Sequence, residues 1–101
     1  PKIKKTSKFP SSSRDINIVI DKSIVYQEVE NLIHQGAIKY LTSFYLIDTF
    51  EGKDIPKGFV SMTLRFTFQS NTKSLLESEI NGSMQMILKL LEKRLNVKIR
   101  S

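Results

Sequence analysis

The chain has 101 residues and a formal net charge of +6, and 40% of its residues are hydrophobic. A chain of this length forms one small domain with a modest core. Because it has no cysteine and a single histidine, His34, the sequence excludes disulfides, thiolate catalysis and zinc sites made of cysteine or several histidines. No apolar run approaches the roughly 18 residues of a membrane-spanning helix. We therefore expect no membrane partner and, without a signal-peptide pattern, a cytoplasmic location.

The basic charge is concentrated at the two ends of the chain. Residues 1–14 carry five basic and no acidic side chains, and residues 89–101 carry five basic side chains against the single acid Glu92. Residues 15–88 carry six basic and nine acidic side chains. If the two ends meet in the fold, they form one positive patch whose natural partner is a polyanion. The alternative for residues 1–7 is a solvated basic tail.

The beginning of the chain is predicted to be irregular. Lysine, serine and threonine predominate in residues 1–13, and Pro10 opposes regular strand pairing. We assign residues 1–7 to a linker or tail and residues 8–101 to one domain. Because the chain starts at Pro1 rather than at a methionine, we expect it to be a domain excised from a longer protein.

The next segment predicts a strand followed by a helix. Three isoleucines alternate with other residues in the period-two pattern of a half-buried strand. They are Ile16, Ile18 and Ile20. Apolar residues then follow at the spacing of an amphipathic helix. They are Val25, Val29, Leu32 and Ile33. We expect side-chain oxygens of Asp21 and Ser23 to cap this helix and Gly36 to end it.

The rest of the chain predicts two more long strands, a second helix and a short last strand. Residues 40–51 are rich in β-branched and aromatic side chains, and a loop marked by glycine and proline follows them. Strict alternation then marks the third strand. Its apolar face is Met62, Leu64, Phe66 and Phe68. A long amphipathic helix is indicated by apolar residues at helical spacing. They are Ile80, Met84, Ile87, Leu88, Leu91 and Leu95. Residues 97–100 alternate again.

The predicted order of elements is strand, helix, strand, strand, helix, strand, which is the ferredoxin-like pattern of an α+β domain. We expect an antiparallel sheet with the strand order 4-1-3-2 and both helices packed on one face. The other face of the sheet is left uncovered. Because the first and last strands are neighbours in this order, we expect Arg14 and Arg100 to lie side by side near the uncovered face and to form one basic patch.

The uncovered face is predicted to carry short polar side chains. Alternation places seven residues there if the isoleucines of the first strand face the helices. They are Asp15, Asn17, Val19, Ser61, Thr63, Arg65 and Thr67. Asparagine and aspartate bind base edges, and arginine contacts phosphates or stacks on bases. The surface is therefore suited to single-stranded RNA, whose bases are accessible. The alternative is an ordinary hydrated sheet face.

The second strand allows two interpretations. Strict alternation places Asp48 and Phe50 on the same face as Leu46, where burying a carboxylate is costly. A β-bulge near Leu46 and Ile47 instead turns Asp48 and Phe50 to the uncovered face. There Asp48 can accept from a base edge and Phe50 can stack on a base. In the alternative, Asp48 caps the hairpin and Phe50 belongs to the core. We favour the bulge.

Two segments of the chain match a known pattern. The first contains Phe9, Pro10, Arg14, Asp15, Ile16 and Ile18. The second is Leu46-Ile47-Asp48-Thr49-Phe50-Glu51-Gly52, then Ile55-Pro56-Lys57-Gly58, then Ser61-Met62-Thr63-Leu64-Arg65. From Lys8 to Arg100 the chain resembles the ferredoxin-fold anticodon-binding domain that ends the β chain of bacterial phenylalanyl-tRNA synthetase. The single-chain organellar form of that enzyme ends in a similar domain.

The resemblance implies tRNA recognition without catalysis by this fragment. Enzymes of that family join phenylalanine to tRNA(Phe) with ATP and magnesium, as an (αβ)2 assembly whose α chain holds the catalytic site. The fragment is expected to need no cofactor or metal of its own and to bind the anticodon stem-loop of tRNA(Phe).

Other functional classes share the fold. A ferredoxin-like small-molecule regulatory or protein-interaction domain is one alternative, and an acylphosphatase-like enzyme is another. Regulatory modules usually have a glycine-rich loop after the first strand, and acylphosphatase-like enzymes have a phosphate-binding loop with an arginine there. The sequence after Ile20 is Asp21-Lys22-Ser23, which resembles neither loop.

Seven residues are candidates for RNA contact under this resemblance. They are Arg14, Asn17, Asp48, Phe50, Ser61, Arg65 and Arg100. The first and the last of them are expected to attract phosphates, and Asp48 and Ser61 are expected to discriminate between bases. Phe50 stands where the family usually has tyrosine, and Asn17 where it usually has a small apolar residue. The second helix also departs from the family, which tends to begin it with a Thr-Leu-Thr-Asp capping sequence.

Overall fold

The structure, a computed structural model, describes residues 9–100 of the chain, which form four strands and two helices. In chain order they are β1 (Ser12–Asp21), α1 (Tyr26–Gly36), β2 (Leu41–Phe50), β3 (Phe59–Phe68), α2 (Glu77–Leu95) and β4 (Lys98–Ile99). All pairings are antiparallel, and the strands lie in the order β2-β3-β1-β4. This confirms the predicted ferredoxin-like fold and its strand order. The predicted linker or tail at residues 1–7 lies outside the described residues.

Both helices pack on the same face of the sheet. One buried cluster contains the inward residues of α1 and α2 together with alternate residues of the two central strands. Val25, which the periodicity places among the apolar residues of the first helix, is instead 57% exposed and precedes α1. The cluster includes seven other residues that the periodicity predicts for the core. They are Ile18, Val29, Leu32, Leu64, Phe66, Ile87 and Leu91. The opposite side of the sheet, which we call the open face, has no helix of the described chain over it.

The turn between β1 and α1 is held by the Asp21 carboxylate. Its Oδ1 accepts from the Ser23 backbone N–H at 2.8 Å and from the Ser23 hydroxyl at 2.7 Å. The backbone N–H is the main cause that lowers the pKa of Asp21. The helix itself begins after Val25, which makes no side-chain capping bond. The prediction that Asp21 and Ser23 cap α1 is therefore wrong, because their side chains bond to each other within the preceding turn.

Gly36 allows the two helices to approach each other. It is the last residue of α1, and the left-handed residue that ends the helix is Ala37, at φ 46°. A Cβ atom added to Gly36 would lie 2.7 Å from Cδ2 of Leu90 on α2. A larger residue here would therefore require the Leu90 side chain to move, and the left-handed backbone conformation belongs to Ala37 and not to Gly36.

The first turn of α2 is capped by the Glu79 carboxylate. Its Oε1 accepts from the Leu76 backbone N–H at 2.9 Å, and its Oε2 binds the Lys73 ammonium. The Tyr40 hydroxyl also donates to Oε2, at 3.4 Å. Leu76 has no side-chain oxygen with which to complete a capping box, so the capping chemistry departs from the family pattern as expected. The Leu76 N–H is the first cause and Lys73 the second that lower the pKa of Glu79.

We expect Leu64→Ala to lower the free energy of unfolding by about 2–5 kcal/mol, the range for a large-to-small change in a packed core. Leu64 is fully buried at the centre of β3. Chemical denaturation of both proteins measures the change. The control is Ile47→Ala, which removes an aliphatic side chain that is 41% exposed on the same sheet. A loss no larger than that of the control would contradict the assignment of Leu64 to the core.

We expect Glu79→Gln to lower the melting temperature at neutral pH and to lose this effect in acid. Because the pKa of Glu79 is lowered in the folded chain, its charge stabilises the fold fully above the unfolded value of about 4.3. That stabilisation is lost as the pH falls through the lower folded value. Thermal unfolding across this range tests the prediction, with Glu92→Gln, an exposed position near the other end of α2, as the control. A difference that persists unchanged into acid would refute the role given to the carboxylate.

Candidate nucleic-acid interface

The open face is organised as rows of side chains that run across three strands. β1 and β3 pair in register over their whole length, and β2 continues each row on the other side of β3. We name each row by its β1 residue. The rows are Ser13, Thr67 and Ser43; Asp15, Arg65 and Tyr45; Asn17, Thr63 and Asp48; and Val19, Ser61 and Phe50. The three outward residues that the sequence predicts for β1 therefore lie beside those that it predicts for β3.

A β-bulge in β2 turns Asp48 and Phe50 toward the open face. Leu46 pairs with the buried Leu64, and the next paired residue is Asp48, opposite Thr63. Ile47 is the extra residue. The predicted bulge is thus confirmed, and the alternative that places Phe50 in the core is wrong, because 53% of Phe50 is exposed. A second irregularity, between Leu41 and Ser43, was not predicted.

The Phe50 ring packs against the backbone of Gly52. A Cβ atom added to Gly52 would lie 2.5 Å from Cζ and 2.8 Å from Cε2 of Phe50. A larger residue at this position would therefore displace the ring. The ring lies against the backbone at Gly52, and about half of Phe50 stays accessible. A ring held in this way is a ready surface on which a base can stack.

Asn17 links the hydroxyl groups of β3. Its Nδ2 donates to Oγ of Ser61 at 2.8 Å and to Oγ1 of Thr63 at 2.9 Å. Ser61 is only 5% exposed. Among the described residues, Oδ1 of Asn17 is shielded from solvent and has no hydrogen-bond partner. The predicted polar residues thus form a connected group on the open face, but the Ser61 hydroxyl is largely buried and already bonded.

Arg65 is held in place by a bidentate ion pair. Its Nε donates to Oδ1 of Asp15 at 2.8 Å, and its Nη2 donates to Oδ2 at 3.0 Å. The pair lowers the pKa of Asp15 and raises that of Arg65, and the Tyr45 hydroxyl is the second cause that raises the pKa of the guanidinium. Two donors of the guanidinium fork are therefore already occupied. Its flat face remains as the part that suits stacking on a base.

Two basic residues border the open face at β4. The Arg100 backbone N–H donates to the Asn17 carbonyl at 2.8 Å, and Lys98 pairs with Val19. Between them, Ile99 packs against the core, so alternation directs Lys98 and Arg100 to the open side. This agrees with the position predicted for Arg100. Lys98 was missed, although the alternation of residues 97–100 already gave both lysine and arginine the same side.

Arg14 lies on the helix-covered side of the sheet. It pairs with the fully buried Phe66, and its Nη2 forms a 2.7 Å salt bridge with Oε2 of Glu77 at the start of α2. The alternation of side chains along a strand explains this position, because Arg14 is two residues from the core residue Ile16 and therefore lies on the same face. The prediction that Arg14 lies near the open face beside Arg100 is therefore wrong, and so is the basic patch that the two were expected to share.

Tyr45 is an open-face residue that the sequence prediction did not include. It pairs with Arg65 and is 50% exposed. Alternation places Tyr45 on the open face, because its neighbour Leu46 pairs with the buried Leu64. The bulge after Leu46 then brings Asp48 to the same side. The sequence signal was therefore present.

The described part of the chain offers little for other chemistry. In residues 9–100, no three or more histidine, aspartate or glutamate side chains are grouped so that they could hold a metal ion. Within the same range, no helix is long and apolar enough to cross a membrane.

Comparison with known proteins identifies the family. Residues 7–100 match the ferredoxin-fold anticodon binding domain. The chain is 39% identical over 93 residues to a phenylalanine–tRNA ligase beta subunit of Lactobacillus acidophilus. The aligned segment covers 92% of the chain and 12% of that protein. The beta subunit of Sulfurimonas denitrificans is 36% identical over 97 residues, 96% of the chain and 12% of the relative. That of Pseudomonas putida is 34% identical over 100 residues, 99% of the chain and 13% of the relative.

The chain thus spans about an eighth of the length of these relatives. The match to the family covers almost all of it and agrees with the strand order and the open sheet face. This chain belongs to the family of ferredoxin-fold anticodon-binding domains.

Proposed function

We propose that this chain is the anticodon-binding module of a phenylalanine–tRNA ligase and that it binds the anticodon stem-loop of tRNA(Phe) on its open face. The observation that supports this best is the pair of exposed groups behind the bulge, the Asp48 carboxylate and the Phe50 ring. Both are held on a rigid sheet, and they combine a hydrogen-bond acceptor with a stacking surface. These are the two elements by which proteins bind unpaired RNA bases.

In this proposal the candidate residues on the open face have distinct tasks. Asp48 accepts from the edge of a base, and Phe50 stacks on a base. Asn17 and Ser61 contribute mainly by positioning, because their hydrogen bond fixes the surface beneath the RNA. The remaining three differ in how far their charge is available. Arg100 is exposed and attracts phosphates, and Arg65 offers its flat face, whereas Arg14 is paired with Glu77 on the helix side and makes no contact with the RNA.

The activity of the whole enzyme belongs to the parent protein. We infer that residues 8–101 are the binding domain and that residues 1–7 connect it to the rest of a β chain, which assembles with an α chain as (αβ)2 in the cytoplasm. ATP and magnesium would be used at the catalytic site, which the family resemblance assigns to the α chain. The domain then supports the attachment of phenylalanine by holding the tRNA. The family match favours this function over a small-molecule regulatory or protein-interaction domain.

We expect Asp48→Ala to weaken binding of the phenylalanine anticodon stem-loop more than binding of a loop with a changed anticodon. The difference should be about 1–3 kcal/mol, the size of one specific base contact. Fluorescence titrations with both RNAs measure it, and circular dichroism checks the fold. Asp54→Ala removes the same charge from an exposed loop position and should weaken neither RNA selectively. Equal losses on both RNAs for Asp48→Ala would leave it without a role in discrimination.

We expect Arg100→Ala to weaken all stem-loops alike and to make binding less sensitive to salt. Binding with one phosphate contact fewer releases fewer counterions from the RNA. The slope of log K against log[salt] should therefore become shallower by about 0.7–1. Arg14→Ala removes the same charge from the helix side of the sheet and is the matched control. It should change the slope less than Arg100→Ala does. The opposite order would contradict the assignment of the two arginines to opposite sides of the sheet.

A further inference from the structure

Two aromatic rings lie exposed on the open side of β2. Phe50 is 53% exposed and Tyr45 is 50% exposed. Burying such rings would stabilise the fold, so exposed aromatic pairs on one face often mark a binding surface. The Phe50 ring has a place in the proposed function. The Tyr45 ring, opposite Arg65 in the Asp15 row, has none so far.

The spacing of the two rings constrains any RNA that contacts both. Their partners on β3, Arg65 and Ser61, are four residues apart, which is roughly 13 Å at the usual rise of a strand. Neighbouring bases in a helical strand are only about 3.4 Å apart. A base on each ring therefore requires an opened strand, with at least one nucleotide between them above the row that contains Asp48.

The surroundings of Tyr45 favour stacking over phosphate binding. The Arg65 guanidinium beside it is already paired in a bidentate manner with Asp15, so the local charge is largely neutralised. Tyr45 pairs with Arg65 across the two strands. The ring and the planar guanidinium therefore belong to neighbouring residues of one row, and both have faces that stack on bases. Lys98 and Arg100, which have no ion pair among residues 9–100, lie at the opposite edge of the sheet, in and just after β4.

We propose that Tyr45, supported by Arg65, is a second stacking position that binds an unpaired RNA base at least two nucleotides away from the base on Phe50. The open face then holds a run of three or more unpaired nucleotides, with the Asp48 carboxylate between the two rings. This inference rests on the proposed function, since it adds a second position to the same surface. Because the charge at Tyr45 is neutralised locally, this position contributes affinity that depends little on salt.

The test combines ring variants with RNAs that lack single bases. The 101-residue chain and its variants Tyr45→Ala, Tyr45→Phe and Phe50→Ala are titrated with the phenylalanine anticodon stem-loop. The same titrations use stem-loops in which one loop nucleotide at a time is abasic. If a base stacks on a ring, the losses of binding free energy caused by removing the base and by removing the ring are not additive. Circular dichroism verifies that each variant is folded.

We expect Tyr45→Ala to weaken binding roughly 5- to 150-fold, the range for one base on an aromatic ring, with no change in the salt slope. Tyr45→Phe should retain most of the affinity, because it keeps the ring. The loss of binding free energy caused by Tyr45→Ala should be non-additive with the loss caused by one abasic position. The loss caused by Phe50→Ala should be non-additive with that of a different abasic position, at least two nucleotides away.

The other outcomes separate this inference from the proposed function. If Phe50→Ala weakens binding and Tyr45→Ala does not, the second stacking position is refuted while the anticodon-binding function stands. Equal losses for Tyr45→Phe and Tyr45→Ala would also refute it, because the hydroxyl and not the ring would then matter. If the unaltered chain binds no stem-loop, both proposals fail together.

Discussion

The pairing of β1 with β3 is the constraint on which the rest of the structure depends. The two strands are in register over ten residues at the centre of the sheet. Because side chains alternate between faces, a shift of β1 by one residue against β3 would turn the side chains of β1 to the opposite faces of the sheet. The fully buried Ile18 would then face solvent, and Asn17 would enter the core. The apolar packing under the helices therefore fixes the polar pattern of the open face.

The bulge in β2 places the side chains of Asp48 and Phe50 on the open face. If Ile47 were paired like the other residues of β2, Asp48 would face the helix-covered side, where Leu46 pairs with Leu64. A carboxylate there would have to leave water without a partner, which is costly. The bulge instead joins a core-facing stretch to an open-facing one within a single strand. It also brings Asp48 into the same row as the hydroxyl groups that Asn17 holds together.

The element order, the sheet order, the core and the bulge followed from the sequence because each depends on periodicity and on the cost of burying charge. The errors arose elsewhere. Arg14 was assigned by its neighbouring strand and not by counting from Ile16, so its side of the sheet was missed. The caps of α1 and the bonds of the Asn17 side chain depend on distances between individual atoms, which alternation does not specify. The ion pair between Asp15 and Arg65 links residues 50 positions apart, and only the register shows it.

Charge and recognition are separated across the sheet. The free basic groups of the open face, Lys98 and Arg100, lie at the β4 edge, whereas the exposed rings and Asp48 lie at the β2 edge. Arg65, at the centre, is neutralised by Asp15. In the proposed complex, phosphates are therefore attracted at the β4 edge, and bases are bound at the β2 edge. That arrangement presents the bases to the sheet unpaired, which is the state in which their edges can be distinguished.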